Sequence, residues 1–302
     1  MKIRGAGRIA VAAAKALRAV AEDSRANSID DFNTEIKESS RYLVATRPTA
    51  VSLPNAVRYV LINGLSSGSD DVGILKARVV RSAEKFISDA EDALRKIGDF
   101  GANRIVSGDK ILTICNSNAA IEVLKRAHQQ GKEMEVYAME TRPRFQGRIT
   151  AKALSAEGID VNIAVDSAAR HFMKDMDHVI VGADAVSSNG AVVNKIGTST
   201  IALAAHEARV RMMVAAETFK FHPDTIVGEL VQIEERSPTE VIPEELLSGF
   251  GSVRIRNPVF DITPAEYIDI IVTERGIIPP QASFFLLTQL YGWKLTDDEP
   301  WD

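Results

Sequence analysis

The chain has a single cysteine, Cys115, among 302 residues. One thiol excludes an internal disulfide and a cysteine-rich zinc site, and it fits a reducing compartment. Positive charge is not in excess: 36 Lys and Arg stand against 41 Asp and Glu, a net charge of −5. A protein that binds nucleic acid by neutralising phosphates carries the opposite balance, so no nucleic-acid partner is expected. No apolar run reaches the roughly 18 residues that a membrane-spanning helix needs, so no membrane is expected either. Near the N-terminus Arg8, Lys15 and Arg18 interrupt the apolar stretch that a secretory leader would require. These absences together predict a cytoplasmic protein. The five histidines show no metal-ligand spacing, and no HxxxH pair occurs. The dinucleotide fingerprint GxGxxG and the P-loop signature are both missing. No metal and no cofactor are therefore assigned.

What is present is an ordinary globular composition, 45% apolar and 25% charged, at a length that fits two domains. Up to about residue 100 the apolar positions follow a helical period over Ile9 to Ala21, Ile29 to Tyr42, Leu53 to Ile62 and Leu75 to Ile97. Short β-branched runs then appear at 111–115, 136–139, 162–165, 178–183, 211–216 and 269–273. Helix-length segments, such as Ala119 to Gln129 and Thr150 to Ala156, separate most of them. Buried runs alternating with helices predict an α/β protein. Its N-terminal helical domain spans 1–103, and a Rossmann-like, doubly wound parallel-sheet domain spans 104–302. The acidic tail TDDEPWD reads as a solvated or loosely docked end.

Open α/β sheets bind ligands at the carboxyl ends of their strands, so the residues just after each run are the site candidates. The stretch KILTICNSNAAIEVLKRA (110–127) ends a strand on Cys115, followed by Asn116 and Ser117, just before a helix. Helix N–H dipoles there stabilise a thiolate, which predicts a base or nucleophile. The ordinary alternative, an inert buried thiol, weighs about equally. Ser117 also reads as an N-cap. Asp184, in VIVGADAV, follows an apolar strand. A carboxyl desolvated there holds its proton and serves as a general acid, against the alternative of capping the next turn. In NGAVVNKIGT (189–198) Lys195, beside Asn194, is a phosphate holder or part of a hairpin leading into a helix. Arg47 in TRPTA and Arg142 in ETRPRFQG precede prolines that keep them extended, which suits bidentate phosphate contact. Arg144 and Arg148 read as surface arginines. RGAG (4–7) is either a phosphate-binding helix start or a flexible terminus.

In order, RGAG, TRPTAVSLPNA, TICNSNAA, ETRPRFQG, VDSAA, VGADAV, NGAVVNKIGT and NPVFDITPAEYIDIIVTERGIIPP resemble the motifs of one superfamily. It unites sugar-phosphate isomerases with the regulatory subunits of initiation factor 2B. Through RPTAVSLPNAVRYV (47–60) and AAETFKFHP (215–223) the chain is most similar to the archaeal ribose-1,5-bisphosphate isomerases. The resemblance implies a cofactor-free aldose–ketose isomerase of nucleotide (AMP) salvage, whose product feeds a carbon-fixing carboxylase. It implies Cys115 and Asp184 as the catalytic pair, and Arg4, Gly5, Ala6, Arg47, Arg142, Gln146, Asn194 and Lys195 as substrate contacts, with Asn116 and Ser117 beside the cysteine. It further implies a homodimer assembling to a hexamer. Asn116 departs from the archaeal pattern, which has histidine there. That keeps methylthioribose-1-phosphate isomerase as an alternative. A non-catalytic regulatory subunit is the other alternative, although such subunits generally lack the cysteine–aspartate pair. A bisphosphate needs cations at its 5-end where a thioether needs apolar walls. Lys220, in ETFKFHP, and Arg58, one helical turn past Asn55, are the candidates for that role, with Arg142 or Arg144 beside them, against the alternative that Lys220 and Arg58 are surface charges.

Overall fold

The structure, a computed structural model, describes residues 3, 5–47, 49–65, 71–228, 231–291 and 299–301. It opens with four helices: α1 (Ala6–Asp23), α2 (Ile29–Ala45), α3 (Ser52–Gly64) and α4 (Val72–Ala102). Polar side chains set two of their starts. Ser28 Oγ accepts from the Asp31 N–H at α2, and the Asp71 carboxylate accepts from the Ile74 N–H at α4. Leu17, Phe32, Ile36, Leu61 and Val79 are fully or almost fully buried between these helices. α4 has 31 residues, a rod of about 46 Å at 1.5 Å per residue. Its Val79, Ala83 and Phe86 enter the helical core, and its Ile97 and Ala102 enter the core beneath the sheet. Gly101 allows that second contact: a Cβ there would lie 2.5 Å from the Val123 side chain.

The sheet half alternates β1 (Asp109–Ile114), α5 (Asn118–Gln129), β2 (Met134–Met139), α6 (Gln146–Ser155), β3 (Asp160–Ala164), α7 (Ala169–Met173) and β4 (His178–Gly182). β5 (Ala185–Val186), β6 (Val192–Lys195), α8 (Thr198–Ala208), β7 (Arg211–Ala215) and α9 (Glu244–Leu247) follow. The described chain continues with β8 (Phe260–Thr263), β9 (Ile270–Thr273), β10 (Gly276–Ile278) and α10 (Ser283–Tyr291). The main sheet has the order β10-β9-β7-β4-β1-β2-β3. All its pairings are parallel except that of β10 with β9. From β1 the chain winds out to β2 and β3 on one side, then returns to β4, β7 and β9 on the other. The switch point, where ligands bind in such sheets, therefore lies between β1 and β4.

The six predicted β-branched runs correspond to β1, β2, β3, β4, β7 and β9. Two features differ from the sequence reading. A separate antiparallel sheet, β5-β6-β8, stands over the strand ends, and β10 adds an antiparallel edge. These strands have only 2–4 residues, too few for a period to show. The tail is not a loose end: Trp301 is buried in the helical core, and the Glu299 carboxylate accepts from Arg58 Nη2 at 2.6 Å. Burying one aromatic side chain outweighs the acidic composition around it. No helix among the described residues is long and apolar enough to cross a membrane.

Candidate active site

The ends of β1 and β4 open onto a cleft of about 440 Å³. The start of α1, Arg47 and residues 49–52 of the helical half also wall it. Cys115, Asn116 and Ser117 face it from β1, Asp184 from β4, and Asn194 and Lys195 from β6.

Cys115 has φ 71°, the left-handed region that residues other than glycine seldom enter. Hydrogen bonds on both of its peptides hold it there. Its N–H donates to Thr141 Oγ1 at 2.9 Å, and its carbonyl accepts from Thr150 Oγ1 at 2.7 Å. Thr141 is itself left-handed, φ 65°. Its N–H and that of Arg142 each donate to the Asp166 carboxylate at 2.7 Å. The ends of β1, β2 and β3 are thus tied into one lattice. Ser117 N-caps α5 through the Ala120 N–H at 3.3 Å. It packs so closely on β4 that a Cβ on Gly182 would lie 2.1 Å from its Oγ.

The expected thiolate is not what this cleft favours. Burial pushes the Cys115 thiol up to about 11, and Asp184 adds to the rise. Lys195 and then the Asn116 N–H pull it down without prevailing. The helix start is too weak a counterweight, because α5 begins only at Asn118 and Ser117 caps it. Asp184 follows the sequence reading. Its N–H donates to the Val193 carbonyl at 2.8 Å, burial raises its carboxyl pKa, and Lys220, Lys195, Arg47 and Arg236 oppose that rise in decreasing order. It is a carboxyl inclined to keep its proton, ringed by cations.

Lys195 is buried, with Nζ 5.0 Å from the centroid of the Phe260 ring, and burial lowers its pKa. Asn194, also buried, donates to Thr198 Oγ1 at 3.1 Å. The N-terminus of α8 just beyond is occupied: the Asp261 carboxylate accepts from the Gly197 N–H at 2.7 Å and the Ser199 N–H at 3.1 Å. Any anion contact in NKIGT therefore falls to the two side chains. Of the two alternatives weighed for this stretch, the hairpin is present: β5 and β6 form one that leads into α8.

Arg47 and Arg236 bracket one carboxylate, Glu234, at 3.3 and 2.9 Å. Lys220 is buried and pairs with Glu217 at 2.7 Å. Glu217 reaches the start of α1, where a Cβ on Gly7 would lie 3.1 Å from its Oε1. Gly5, with φ 93°, and Ala6 line the cleft beside it. Gln146 also lines it, with a buried Oε1 that has no hydrogen-bond partner among the described residues. Asn116 Oδ1 lies 3.1 Å from Thr150 Oγ1.

Two sequence-derived contacts, Arg142 and Arg58, end elsewhere. Arg142 does not line the cleft: its guanidinium sits 5.3 Å over the Phe145 ring and donates to the Val241 carbonyl at 3.2 Å. Arg144, read as a surface residue, lines the cleft and pairs with Glu240 at 3.1 Å. The X-Pro rule constrains the backbone at Arg142 but not which arginine of the turn faces inward. Arg58 also lies outside the cleft, bound to Glu299 and Asn55. Arg4 falls outside the described residues. Glu217, a candidate because it follows a predicted strand, lines the cleft, whereas sequence reasoning missed Glu234 and Arg236. Glu234 and Arg236 lie on a stretch with no regular strand or helix to order it.

Ribose 1,5-bisphosphate isomerase of Thermococcus kodakarensis is 54% identical to this chain over 306 residues, covering 100% of the chain and 95% of that protein. The isomerase of the same name from Methanocaldococcus jannaschii is 53% identical, covering 97% and 92%. Among solved structures, 5-methylthioribose 1-phosphate isomerase from Pyrococcus horikoshii OT3 superposes with a TM-score of 0.78 at 30% identity, over 96% of this chain and 85% of that one. The motifs at the strand ends, the sheet order and these full-length matches agree with a family model that covers residues 2–280, and the chain belongs to the Initiation factor 2 subunit family.

Proposed function

We propose that the chain isomerises ribose 1,5-bisphosphate to ribulose 1,5-bisphosphate. The observation that carries this is full-length identity of 54% to an isomerase of that name, against 37% to a methylthioribose-1-phosphate isomerase. The cleft's chemistry supports the same substrate. Lys220, Lys195, Arg47 and Arg236 set several cations among its walls, which suits a phosphate at each end of the sugar. The same cations disfavour a methylthio group.

The reaction must open a furanose whose anomeric oxygen is esterified. Asp184, its carboxyl pKa raised by burial, gives its proton to the ring oxygen as the C1–ring oxygen bond breaks. Cys115 as thiolate takes the proton from C2, and that electron pair forms the C1–C2 double bond of an enol phosphate. The C2 hydroxyl then returns a proton to Asp184 while the Cys115 thiol protonates C1. The ketone results and both residues are restored. A direct C2-to-C1 hydride shift is the competing route, and it needs no base. The high thiol pKa gives that route its standing, since the thiolate is scarce at neutral pH. Assembly as a cytoplasmic homodimer building a hexamer belongs to the same reading through the family resemblance, and light scattering on the purified protein tests the assembly. The decisive assay incubates the protein with ribose 1,5-bisphosphate and, separately, with methylthioribose 1-phosphate. Ribulose 1,5-bisphosphate is the expected product, and a preference for the thioether sugar overturns the proposal.

A further inference from the structure

The two stretches that carry the finer resemblance, 47–60 and 215–223, meet at one buried side chain, Asn55 of α3. Asn55 Nδ2 donates to the Phe219 carbonyl at 2.9 Å and to the Phe221 carbonyl at 2.8 Å. Both amide hydrogens are thereby used, on the two carbonyls that flank Lys220. Asn55 Oδ1 accepts from Arg58 Nη1 at 2.7 Å, which fixes which way the amide points. Arg58 closes on the Glu299 carboxylate through Nε at 3.2 Å and Nη2 at 2.6 Å, a two-point charged contact. Asp224 lies 3.8 Å away, and the buried Trp301 ring centroid 5.7 Å from the guanidinium carbon.

The neighbours of Lys220 are anchored in different cores. Phe219 packs on Phe86 in the helical core with ring centroids 5.5 Å apart, and Phe221 is fully buried in the sheet core. Lys220 thus sits where the two halves join, with its Nζ turned to Glu217 in the cleft. A lysine stem has many rotamers. Its ammonium meets a phosphate in one place only if its backbone is fixed, and a misplacement of about 1 Å can cost on the order of 10²-fold.

Resting on the reading of Lys220 as a contact for the 5-phosphate, we infer that Asn55, Arg58 and Glu299 form a brace that positions Lys220 and so sets specificity for a charged group at that end of the sugar. Arg58 then acts through Asn55 rather than by touching substrate, and the C-terminal end of the chain becomes part of the substrate-recognition apparatus. The test is a double-mutant cycle on kcat and KM for ribose 1,5-bisphosphate. Lys220→Met should lower kcat/KM by about 10–100-fold. Arg58→Met should raise KM by about 10-fold with a smaller change in kcat, and the double variant should be no worse than Lys220→Met alone. Glu299→Gln keeps the shape but removes the charge of a half-buried residue. It should raise KM by about 3-fold, again only while Lys220 is present, and it serves if Arg58→Met does not fold. Losses that multiply in the double variants, or an unchanged KM in Glu299→Gln, overturn the brace and leave the role of Lys220 intact. An unchanged KM in Lys220→Met overturns the phosphate contact itself, and the inference falls with it.

Discussion

Cys115 and Lys220 each follow a strand of the same sheet, yet the bonds that hold them come from different distances along the chain. The partners of Cys115 are Thr141 and Thr150, 26 and 35 residues away. They lie at the end of β2 and in α6, the next strand and helix of the winding. The carbonyls around Lys220 are held by Asn55, 164 and 166 residues away in the other half of the molecule. On the proposed reading, the conformation of the reacting cysteine is therefore set within the sheet half, because β1 and β2 are neighbours once the parallel winding exists. The proposed discriminating end exists only when the helical half has docked. Damage at the first end should fall on turnover, and damage at the second on substrate affinity.

The sharpest way to break this division is at the pair itself. Cys115→Ser and Asp184→Asn should each lower kcat by about 10²–10⁴-fold with KM within a few-fold of the parent, as loss of a positioned acid or base does. Steady-state assays on folded protein decide it. Near-normal turnover in either variant removes that residue from the chemistry.

The next effect is one of pH. With the thiol pushed up to about 11, the thiolate fraction at pH 8 is about 10⁻³ and grows roughly tenfold per pH unit. If Cys115 is the base, kcat/KM should rise by up to about 100-fold between pH 8 and 10 for as long as Asp184 keeps its proton. Alkylation of Cys115 by iodoacetamide should rise in parallel. A flat rate profile beside a rising alkylation profile would favour the hydride shift.

A smaller effect tests the lattice under the cysteine. Thr150→Val keeps the shape but removes the hydrogen bond that holds the Cys115 carbonyl in its left-handed conformation. Such a bond is worth about 1 kcal/mol, so kcat should drop by about 5–10-fold while KM stays put. A change confined to KM would contradict the division drawn above.

The same contrast explains what could be read from sequence. The six parallel strands were legible because each is a short buried run set between helices, and Cys115 and Asp184 because they end two such runs at the switch point. The antiparallel strands of 2–4 residues carry too little pattern. The surroundings of the thiol were not legible, because a helix start is visible in a sequence and burial is not. Arg142 and Arg144 could not be told apart because nothing local says which of them faces the cleft. The place of Arg58 outside the cleft was not legible, since the carboxylate that binds it, Glu299, is 241 residues away. Arg236 offered no signal at all until the loop bearing it was seen folded over the strand ends.

Asp261 is an intermediate case and gives the smallest effect. It lies on β8, pairs across the small sheet with Asn194, and caps α8 from 62–64 residues away. Asp261→Ala removes that cap and should cost about 1–2 kcal/mol of stability, a shift of a few degrees in Tm. The pH dependence is more telling. Burial raises this carboxyl from 3.8 to about 6, although the Gly197 and Ser199 N–H groups pull the other way. The folded state therefore holds this proton more tightly than the unfolded one. The group's contribution is fully present below about pH 4 and is lost as pH rises through about 6. Asp261→Asn cannot titrate, so it should escape that loss and gain stability relative to the parent between pH 4.5 and 7. Urea denaturation of both proteins at the two pH values measures the difference. A difference that does not change with pH would show that the N–H groups of α8, rather than burial, set the charge of Asp261.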